Sequence, residues 1–192
     1  MPKPNVREQL IEAGLKTLYR HGYNGSGVQD ITDAASVPKG SFYNHFKSKE
    51  AFAAEALERY WQSGAGRRAL LTDAEVDPVE RLRQYFRTLA DAVVRNEFEK
   101  GCLIGNFSTE LSGQSPEIRE RLAAIYAAWG RVIETCVRAA REAGRVRPKA
   151  PASAIAGFLL NSWEGAVLRA KVERDKSPLE QFEQVVFASL FT

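Results

Sequence analysis

Lysines, one aromatic ring and short polar side chains are concentrated between Lys39 and Lys49. This segment holds three lysines and no acidic residue, whereas charges of both signs are mixed almost everywhere else. Ammonium groups neutralise phosphates, and short hydrogen-bond donors reach base edges in the DNA major groove. The residues predicted to contact DNA are Ser26, Lys39, Gly40, Ser41, Tyr43, Asn44, His45, Lys47 and Lys49. We expect Lys39, with Ser41 or Asn44, to contact bases. The residues expected to contact phosphates are Lys47, Lys49, His45 and Tyr43.

Apolar residues recur every three or four positions just ahead of this segment, as on one face of a short helix. They are Val28, Ile31, Ala34 and Ala35. Ser26 precedes them and is predicted to cap the helix by accepting a backbone N–H bond. The pattern therefore predicts a short amphipathic helix directly before the lysines.

A turn at Ser36–Pro38 separates this helix from a second one. Pro38 is predicted at the first helical position, where its missing N–H costs nothing. Phe42 and Phe46 are four apart and are expected to anchor the second helix to a small core. Gly40 is a poor helix former, which indicates that another molecule approaches the backbone closely there. Two short helices joined by a tight turn suit the DNA major groove.

This run resembles the DNA-binding segment of the Tet repressor family of bacterial transcription regulators. The resemblance rests on Ile31, on Ser36-Val37-Pro38, on Gly40-Ser41-Phe42-Tyr43 and on His45-Phe46-Lys47-Ser48-Lys49-Glu50. Ser36 stands where the family often has glycine, and Pro38 replaces a capping serine. The resemblance covers the first quarter of the chain. It implies a homodimeric repressor that binds a double-stranded DNA operator and is released by a small-molecule inducer of unknown identity.

The rest of the chain has the pattern of amphipathic helices. Helices are predicted over 78–96, 104–111, 116–143, 152–173 and 178–191, and no alternation is long enough for a strand. The predicted fold is all-α. It has a three-helix, helix-turn-helix DNA-binding domain over 1–48. A shared linking helix then begins a helical domain over 49–192, to which the resemblance assigns ligand binding and dimerisation.

The predicted helix 152–173 is apolar on two sides, and both must be buried. One face holds Ile155, Leu159, Ser162 and Ala166, and the other holds Ala156, Leu160, Trp163 and Val167. One side is expected to meet the protein's own core. The other, near Gly157 and Gly165, is expected to meet a second subunit, because two heads related by a dyad read a palindrome. A central helix inside a monomer is the alternative.

Cys102 is the sharpest candidate for a ligand-responsive residue. It follows Lys100 and precedes a predicted helix, where a thiol near a cation is favoured as a reactive thiolate. This segment resembles a branch of the family that senses electrophiles, such as quinones, maleimides or acrylate-like compounds, through a cysteine. A small buried thiol without reactivity is the alternative. Aromatic residues predicted to line a ligand pocket, or else to form plain core, are Phe107, Tyr126, Trp129 and Trp163.

Composition argues against several other functions. The 192 residues carry a formal net charge of only +3, so bulk charge alone does not indicate nucleic acid. Two cysteines are too few for a disulfide scaffold, which indicates a reducing cytoplasm, and no secretory signal or membrane span is predicted. The chain shows no phosphate-binding loop or metal-ligand cluster, so no enzymatic activity, metal or cofactor is expected. A helical protein–protein adaptor without sequence-specific DNA binding is the alternative function.

Overall fold

The computed structural model describes residues 5–147 and 149–192, and these form ten α-helices. In chain order they are α1 (Val6–His21), α2 (Val28–Ala34), α3 (Lys39–Tyr43), α4 (Lys49–Ser63), α5 (Ala65–Ala69), α6 (Pro78–Arg95), α7 (Leu103–Leu111), α8 (Pro116–Glu142), α9 (Ala152–Glu173) and α10 (Ser177–Leu190). Among the described residues the β-type pairing is an isolated antiparallel bridge between Val146 and Phe191. The predicted all-α fold is confirmed.

The five helices predicted beyond residue 77 begin and end within one residue of their expected bounds. Local signals explain this agreement at the start of α6. The Asp77 side chain accepts hydrogen bonds from the N–H groups of Val79 and Glu80, and Pro78 occupies the first turn. The short helix α5 and the 3-10 turn after it were not predicted, because five residues carry too little apolar periodicity.

Contacts divide the chain into two compact units. Unit 1 contains the chain up to Ser63 together with Leu103–Ala123, and unit 2 contains Gly64–Cys102 and Ala124–Thr192. Helix α7 and the first part of α8 therefore belong to the same unit as the helix-turn-helix. Cys102 is the last residue of unit 2 before the chain enters unit 1. The division at residue 48 stays a prediction.

Three phenylalanine rings form the centre of unit 1. Phe42 follows the turn, Phe46 follows α3, and Phe52 lies on α4; their ring centroids are 5.0 to 5.5 Å apart. All three side chains are buried, as is Ile31 of α2. A Cβ atom on Gly14 would overlap the Phe52 ring, so glycine permits the close approach of α1 to α4. The predicted anchoring role of Phe42 and Phe46 is confirmed.

An aromatic cluster from three helices forms the core of unit 2. Trp163 of α9 lies 5.4 Å from Phe86 of α6 and 5.4 Å from Phe182 of α10, measured between ring centroids. Each such side chain contributes about 1.5 to 3 kcal/mol when it is fully buried.

No helix among the described residues is long and apolar enough to cross a membrane.

Both predicted apolar faces of α9 are largely buried within the chain itself. The buried members are Ile155, Leu159, Ala166, Ala156, Leu160, Trp163 and Val167. The expectation that one of these two faces is left for a second subunit is therefore wrong. Large apolar side chains are exposed on a third face of α9, at Phe158 (53%), Leu168 (60%) and Val172 (77%). The sequence pattern missed this face because its members are separated by polar and small residues.

Candidate DNA interface and ligand site

The turn between α2 and α3 follows the prediction and places a non-glycine residue in a left-handed conformation. Ser36 has φ 55°, a region that L-residues other than glycine, asparagine and aspartate rarely adopt. Backbone bonds hold it there, because the Ser36 N–H donates to the Asp33 carbonyl and the Val37 N–H donates to the Thr32 carbonyl, each at 3.0 Å. Such a conformation costs about 1 kcal/mol or more and persists when its surroundings determine it.

The buried face of α2 includes Thr32, which was not predicted to be buried, and excludes Ala34, which was. Ile31 and Thr32 are fully buried, whereas Ala34 is exposed. The Thr32 hydroxyl donates to the Val28 carbonyl within the helix, so its burial leaves no polar atom without a partner. Threonine was not expected on the inner face because its hydroxyl normally favours solvent.

Two capping predictions at the helix-turn-helix are wrong. The N-cap of α2 is Gly27, whose N–H donates to the Asp30 carboxylate at 2.6 Å. Ser26 is only 2% exposed, and its hydroxyl instead donates to the Gly22 carbonyl at 2.6 Å. It fastens the chain to the end of α1 and offers no surface to DNA. Pro38 is the N-cap of α3 with ψ 144°, one residue earlier than predicted.

The polar residues of α3 and the segment after it face solvent. Lys39, Gly40, Tyr43, Asn44, His45 and Lys47 are exposed, and Ser41 is half-buried; we refer to these seven residues as the recognition surface. The Tyr43 side chain is 55% exposed, although its ring meets Phe42 edge-on. A Cβ atom on Gly40 would meet nothing within 4 Å, so no contact inside the protein requires glycine there. The recognition surface carries two lysines and no carboxylate.

Lys49 differs from the other two lysines because its ammonium group is held within unit 1. Its Nζ lies 4.0 Å from the centroid of the Tyr23 ring. Partial burial lowers the pKa of Lys49, while the carboxylates of Glu110 and Asp30 act in the opposite direction. A cation–π contact of this kind contributes about 0.5 to 2 kcal/mol. Lys49 is thus positioned to support α4 and the turn after α1.

Hydrogen bonds join α7 and the start of α8 to the rest of unit 1. The Asn24 N–H, in the turn after α1, donates to the Glu110 carboxylate at 2.9 Å. The Ser115 hydroxyl donates to the Glu50 carboxylate at the start of α4 and accepts the Ile118 N–H at 3.1 Å. Ser115 therefore caps α8 and bonds it to α4 through the same oxygen atom.

Two of the five predicted ligand-binding residues lie in plain core. Phe107 is fully buried in unit 1, where its ring meets Tyr23 edge-on at 6.3 Å. Trp163 belongs to the aromatic core of unit 2 described above. Tyr126 and Trp129 stack with nearly parallel rings, 6.5 Å apart, on α8. Phe107 thus belongs to unit 1, whereas Tyr126, Trp129 and Trp163 belong to unit 2, and a common ligand pocket stays a prediction.

Cys102 and Trp129 instead share a cluster of polar side chains in unit 2. The Cys102 cluster consists of Arg67 and Arg68 of α5, Tyr85 of α6, Cys102, Trp129 of α8 and Glu164 of α9. Tyr85 is 2% exposed, and burial raises the pKa of its hydroxyl far above its usual range, an effect that the Trp129 side chain and the Arg68 charge oppose. The Cys102 thiol is half-buried and hydrogen-bonds to the Glu164 carboxylate. The cluster thus combines a thiol, a carboxylate and two guanidinium groups.

Four members of this cluster, namely Arg67, Arg68, Tyr85 and Glu164, were not predicted from the sequence. Glu164 was detectable, because it is the first charged residue of α9 and follows twelve uncharged ones. A single carboxylate within an apolar helix is normally paired when buried. Tyr85, Arg67 and Arg68 carried no such signal, since tyrosine and arginine are both common on helix surfaces.

The second cysteine lies in a different environment. Cys136 is 1% exposed, and its thiol donates to the Pro78 carbonyl with the sulfur 3.2 Å from the oxygen. Burial raises the pKa of Cys136 to about 11. Because the thiolate is the reactive form, Cys136 is an unreactive reference for Cys102. No group of residues in the described ranges has the composition of a metal site.

The fold and the recognition surface define a helix-turn-helix protein with an additional all-α unit. The profile of "Bacterial regulatory proteins, tetR family" matches residues 10–56, and that of "Tetracyclin repressor-like, C-terminal domain" matches residues 78–186. The chain therefore belongs to the TetR family of bacterial transcription regulators, as the sequence motifs predicted. Members of this family are not enzymes, and the prediction that this chain is a DNA-binding regulator rather than an enzyme is confirmed.

Individual relatives agree over nearly the whole chain. The HTH-type transcriptional repressor DhaR of Mycobacterium sp. (strain GP1) is 45% identical over 99% of this chain and 94% of its own length. A crystal structure of a regulatory protein TetR from Rhodobacter sphaeroides superposes with a TM-score of 0.91 at 33% identity, covering 96% of this chain and 98% of that one. The reduced form of E. coli NemR has a TM-score of 0.85 at 29% identity and covers 97% of each chain.

Proposed function

We propose that this chain is a cytoplasmic, homodimeric repressor that is released from a palindromic operator by a small molecule or an electrophile. The observation that carries the proposal is the recognition surface, whose lysines and polar donors are exposed directly after a helix-turn-helix. Relatives named as repressors support the direction of regulation. One helix-turn-helix covers only one half-site of the operator. Two of them related by a dyad match the roughly 34 Å between successive major grooves.

The recognition surface divides into two roles. Lys47, His45 and Tyr43 would contact phosphates, which position the protein without selecting a sequence. Lys39, with Ser41 or Asn44, would contact base edges, where a good pair is worth about 1 to 3 kcal/mol of discrimination. We assign Lys49 a supporting role, because its ammonium lies over the Tyr23 ring. Gly40 would allow a DNA strand to approach the backbone.

The exposed apolar face of α9 supports dimerisation. Phe158, Gly165 and Val172 are seven residues apart, and Leu168 lies between the last two on the same side of the helix. Val185 of α10 is also exposed, at 61%. Exposed apolar side chains arranged as a continuous stripe mark an interaction surface. We propose that this stripe meets its counterpart in a second copy, through residues other than those the sequence pattern suggested.

Cys102 is the proposed point of response to electrophiles. Its thiol is half-buried and belongs to a cluster with charged groups, whereas Cys136 is buried and weakly acidic. The likeness to NemR, whose solved structure is described as a reduced form, supports a thiol-based response. Cys102 also immediately precedes α7, so a change at its sulfur would act where the chain enters unit 1. A ligand releases DNA only through different affinities for two states.

A mobility shift tests these elements together. Duplex DNA from just upstream of the chain's own reading frame is incubated with the protein, with and without a panel of maleimides, quinones and apolar metabolites. We expect specific binding that an electrophile abolishes in the wild-type protein and in Cys136→Ser, but not in Cys102→Ser. Equal release from Cys102→Ser would exclude the thiol response, and an absence of DNA binding at low salt would favour the adaptor alternative.

A further inference from the structure

Glu164 carries a largely buried carboxylate that is hydrogen-bonded to the thiol of Cys102. One of its oxygen atoms, Oε1, is inaccessible to solvent and has no hydrogen-bond partner among the described residues. The carboxylate accepts a hydrogen bond from Cys102. A buried carboxylate with incomplete hydrogen bonding costs free energy, so packing alone does not account for Glu164 at this position.

Positively charged side chains of unit 2 lie near Tyr85, the same tyrosine on which Cys102 acts. Arg67 and Arg68 of α5 act electrostatically on Tyr85, as does Cys102. The Nε atom of Arg67 is buried and makes no hydrogen bond within the described part of the chain. The two guanidinium groups therefore supply positive charge near the Tyr85 hydroxyl, on which Cys102 also acts.

We propose that Glu164 is the proton acceptor for Cys102 when this thiol reacts with an α,β-unsaturated carbonyl compound. The proposal rests on the proposed function, since it concerns the same cysteine, but it assigns the chemistry to a second residue. A thiol is a poor nucleophile until its proton is removed. The hydrogen-bonded carboxylate is placed to receive that proton without a hydroxide ion from solvent.

The proposed step is balanced without an oxidant or reductant. The Cys102 S–H bond breaks, and the proton passes to the Glu164 carboxylate. A bond forms between Sγ and the β-carbon of the electrophile as its carbon–carbon π bond opens to an enolate. The proton then moves from the Glu164 carboxyl to the α-carbon of the enolate, which restores the carboxylate. The product is a thioether on Cys102.

Burial makes this transfer easier than the usual acidities suggest. Burial raises the pKa of Glu164, and the hydrogen bond from Cys102 lowers it by a smaller amount. A raised carboxyl pKa lies closer to that of a thiol, so less free energy is needed to move the proton between them. The same burial that costs stability therefore adjusts the acceptor to its donor.

Alkylation kinetics test the proposal. The full-length protein carrying Cys136→Ala is treated with N-ethylmaleimide, and the rate of Cys102 modification is followed by intact mass between pH 5.5 and 8.5. With Glu164 as acceptor, we expect the rate to change little over the neutral range, because the internal transfer does not depend on hydroxide. In Glu164→Gln the rate should fall on the order of a hundredfold at pH 7 and rise about tenfold per pH unit.

Two outcomes would overturn the role. An unchanged rate in Glu164→Gln would show that the carboxylate takes no part. A faster rate would show that its negative charge only suppresses the thiolate. If Glu164→Gln does not fold, the wild-type profile still decides, because a tenfold rise per pH unit in the Cys136→Ala protein would exclude an internal acceptor.

Chemical rescue separates a proton acceptor from a structural residue. Glu164→Ala leaves space in which added formate can replace the missing carboxylate, so we expect formate to accelerate alkylation in this variant and not in Glu164→Gln. Operator release is measured in parallel. Acceptor-assisted alkylation without release would disprove the proposed electrophile response but not the role of Glu164, and release without assistance would do the reverse.

Discussion

Three neighbouring lysines have different structural roles, although the sequence alone suggested one. Lys39 and Lys47 are exposed, whereas the ammonium of Lys49 lies over the Tyr23 ring. The contact between Lys49 and Tyr23 joins residues 26 positions apart, so local periodicity does not reveal it. All three lysines were therefore predicted to contact DNA. Lys39 and Lys47 are exposed enough to reach DNA, whereas Lys49 stabilises unit 1 through the Tyr23 ring.

Lys47→Ala and Lys49→Ala form a matched pair for this distinction. We expect Lys47→Ala to weaken binding to all DNA sequences and to reduce the slope of log affinity against log salt by about 1.8, because each subunit of the proposed dimer loses one phosphate contact. Lys49→Ala should lower the free energy of unfolding by about 1 kcal/mol through the lost cation–π contact. Salt titrations and urea unfolding measure the two effects. Equal slope changes in both variants would contradict the assignment.

Glu164 predicts a defined pH dependence of stability. Its pKa is raised by burial above the ordinary value of 4.5, so the folded chain retains a proton that the unfolded chain has lost. Stability contributed by this residue therefore decreases as pH rises from about 4.5 through the folded-state pKa. Glu164→Gln removes the titration. We expect its stability relative to the wild type to be higher at pH 7 than at pH 4 in urea unfolding, and a constant difference would contradict the raised pKa.

At the scale of elements, periodicity and punctuation located the long helices well. Gly22, Asp77-Pro78 and Gly144 are local stop or start signals that act within the chain segment itself. Capping was predicted less well, because the partner of a hydroxyl depends on which carbonyl the fold brings near it. Ser26 shows this, since its hydroxyl donates to Gly22 rather than capping α2.

Ser115 joins two helices and should matter more than a serine nearby. Ser115→Ala removes both the α8 cap and the hydrogen bond to Glu50, so we expect a loss of about 1 to 3 kcal/mol in the free energy of unfolding. Ser112→Ala is the control, because the Ser112 hydroxyl donates only to the Ser108 carbonyl of its own helical segment. Its loss should be about 0.5 kcal/mol or less. Urea denaturation compares them, and equal losses would refute the joining role.

At the scale of the whole molecule, we propose that a second copy of the chain covers the exposed apolar side chains of α9. The sequence predicted dimerisation through one of two apolar faces of α9, but the chain itself buries both of them. Periodicity identifies an apolar face without showing whether the core or a partner covers it. The cluster around Cys102 could not be predicted from the sequence either, since its members come from five separate chain segments. Such convergence is a property of the tertiary fold, and helical patterns do not encode it locally.

Charge placed on the exposed stripe of α9 should prevent dimerisation. We expect wild-type protein to sediment at twice the 21.4 kDa mass of the chain, and Leu168→Glu combined with Val172→Glu to sediment as a monomer. Ser153→Glu, on a different exposed side of α9, is the control and should remain dimeric. Sedimentation equilibrium measures the mass. A monomeric wild type, or a dimeric double variant, would contradict the proposed interface.

DNA affinity tests the central claim most directly, namely that the recognition surface reads an operator. Fluorescence anisotropy would compare wild-type protein and Lys39→Ala on the upstream duplex and on a scrambled duplex of the same composition at physiological salt. We predict that wild-type protein binds the upstream duplex at least about a thousandfold more tightly than the scrambled one, and that Lys39→Ala loses about 1 to 3 kcal/mol per half-site on the upstream duplex only. Equal affinity of the wild type for both duplexes, or an unchanged preference in Lys39→Ala, would contradict it.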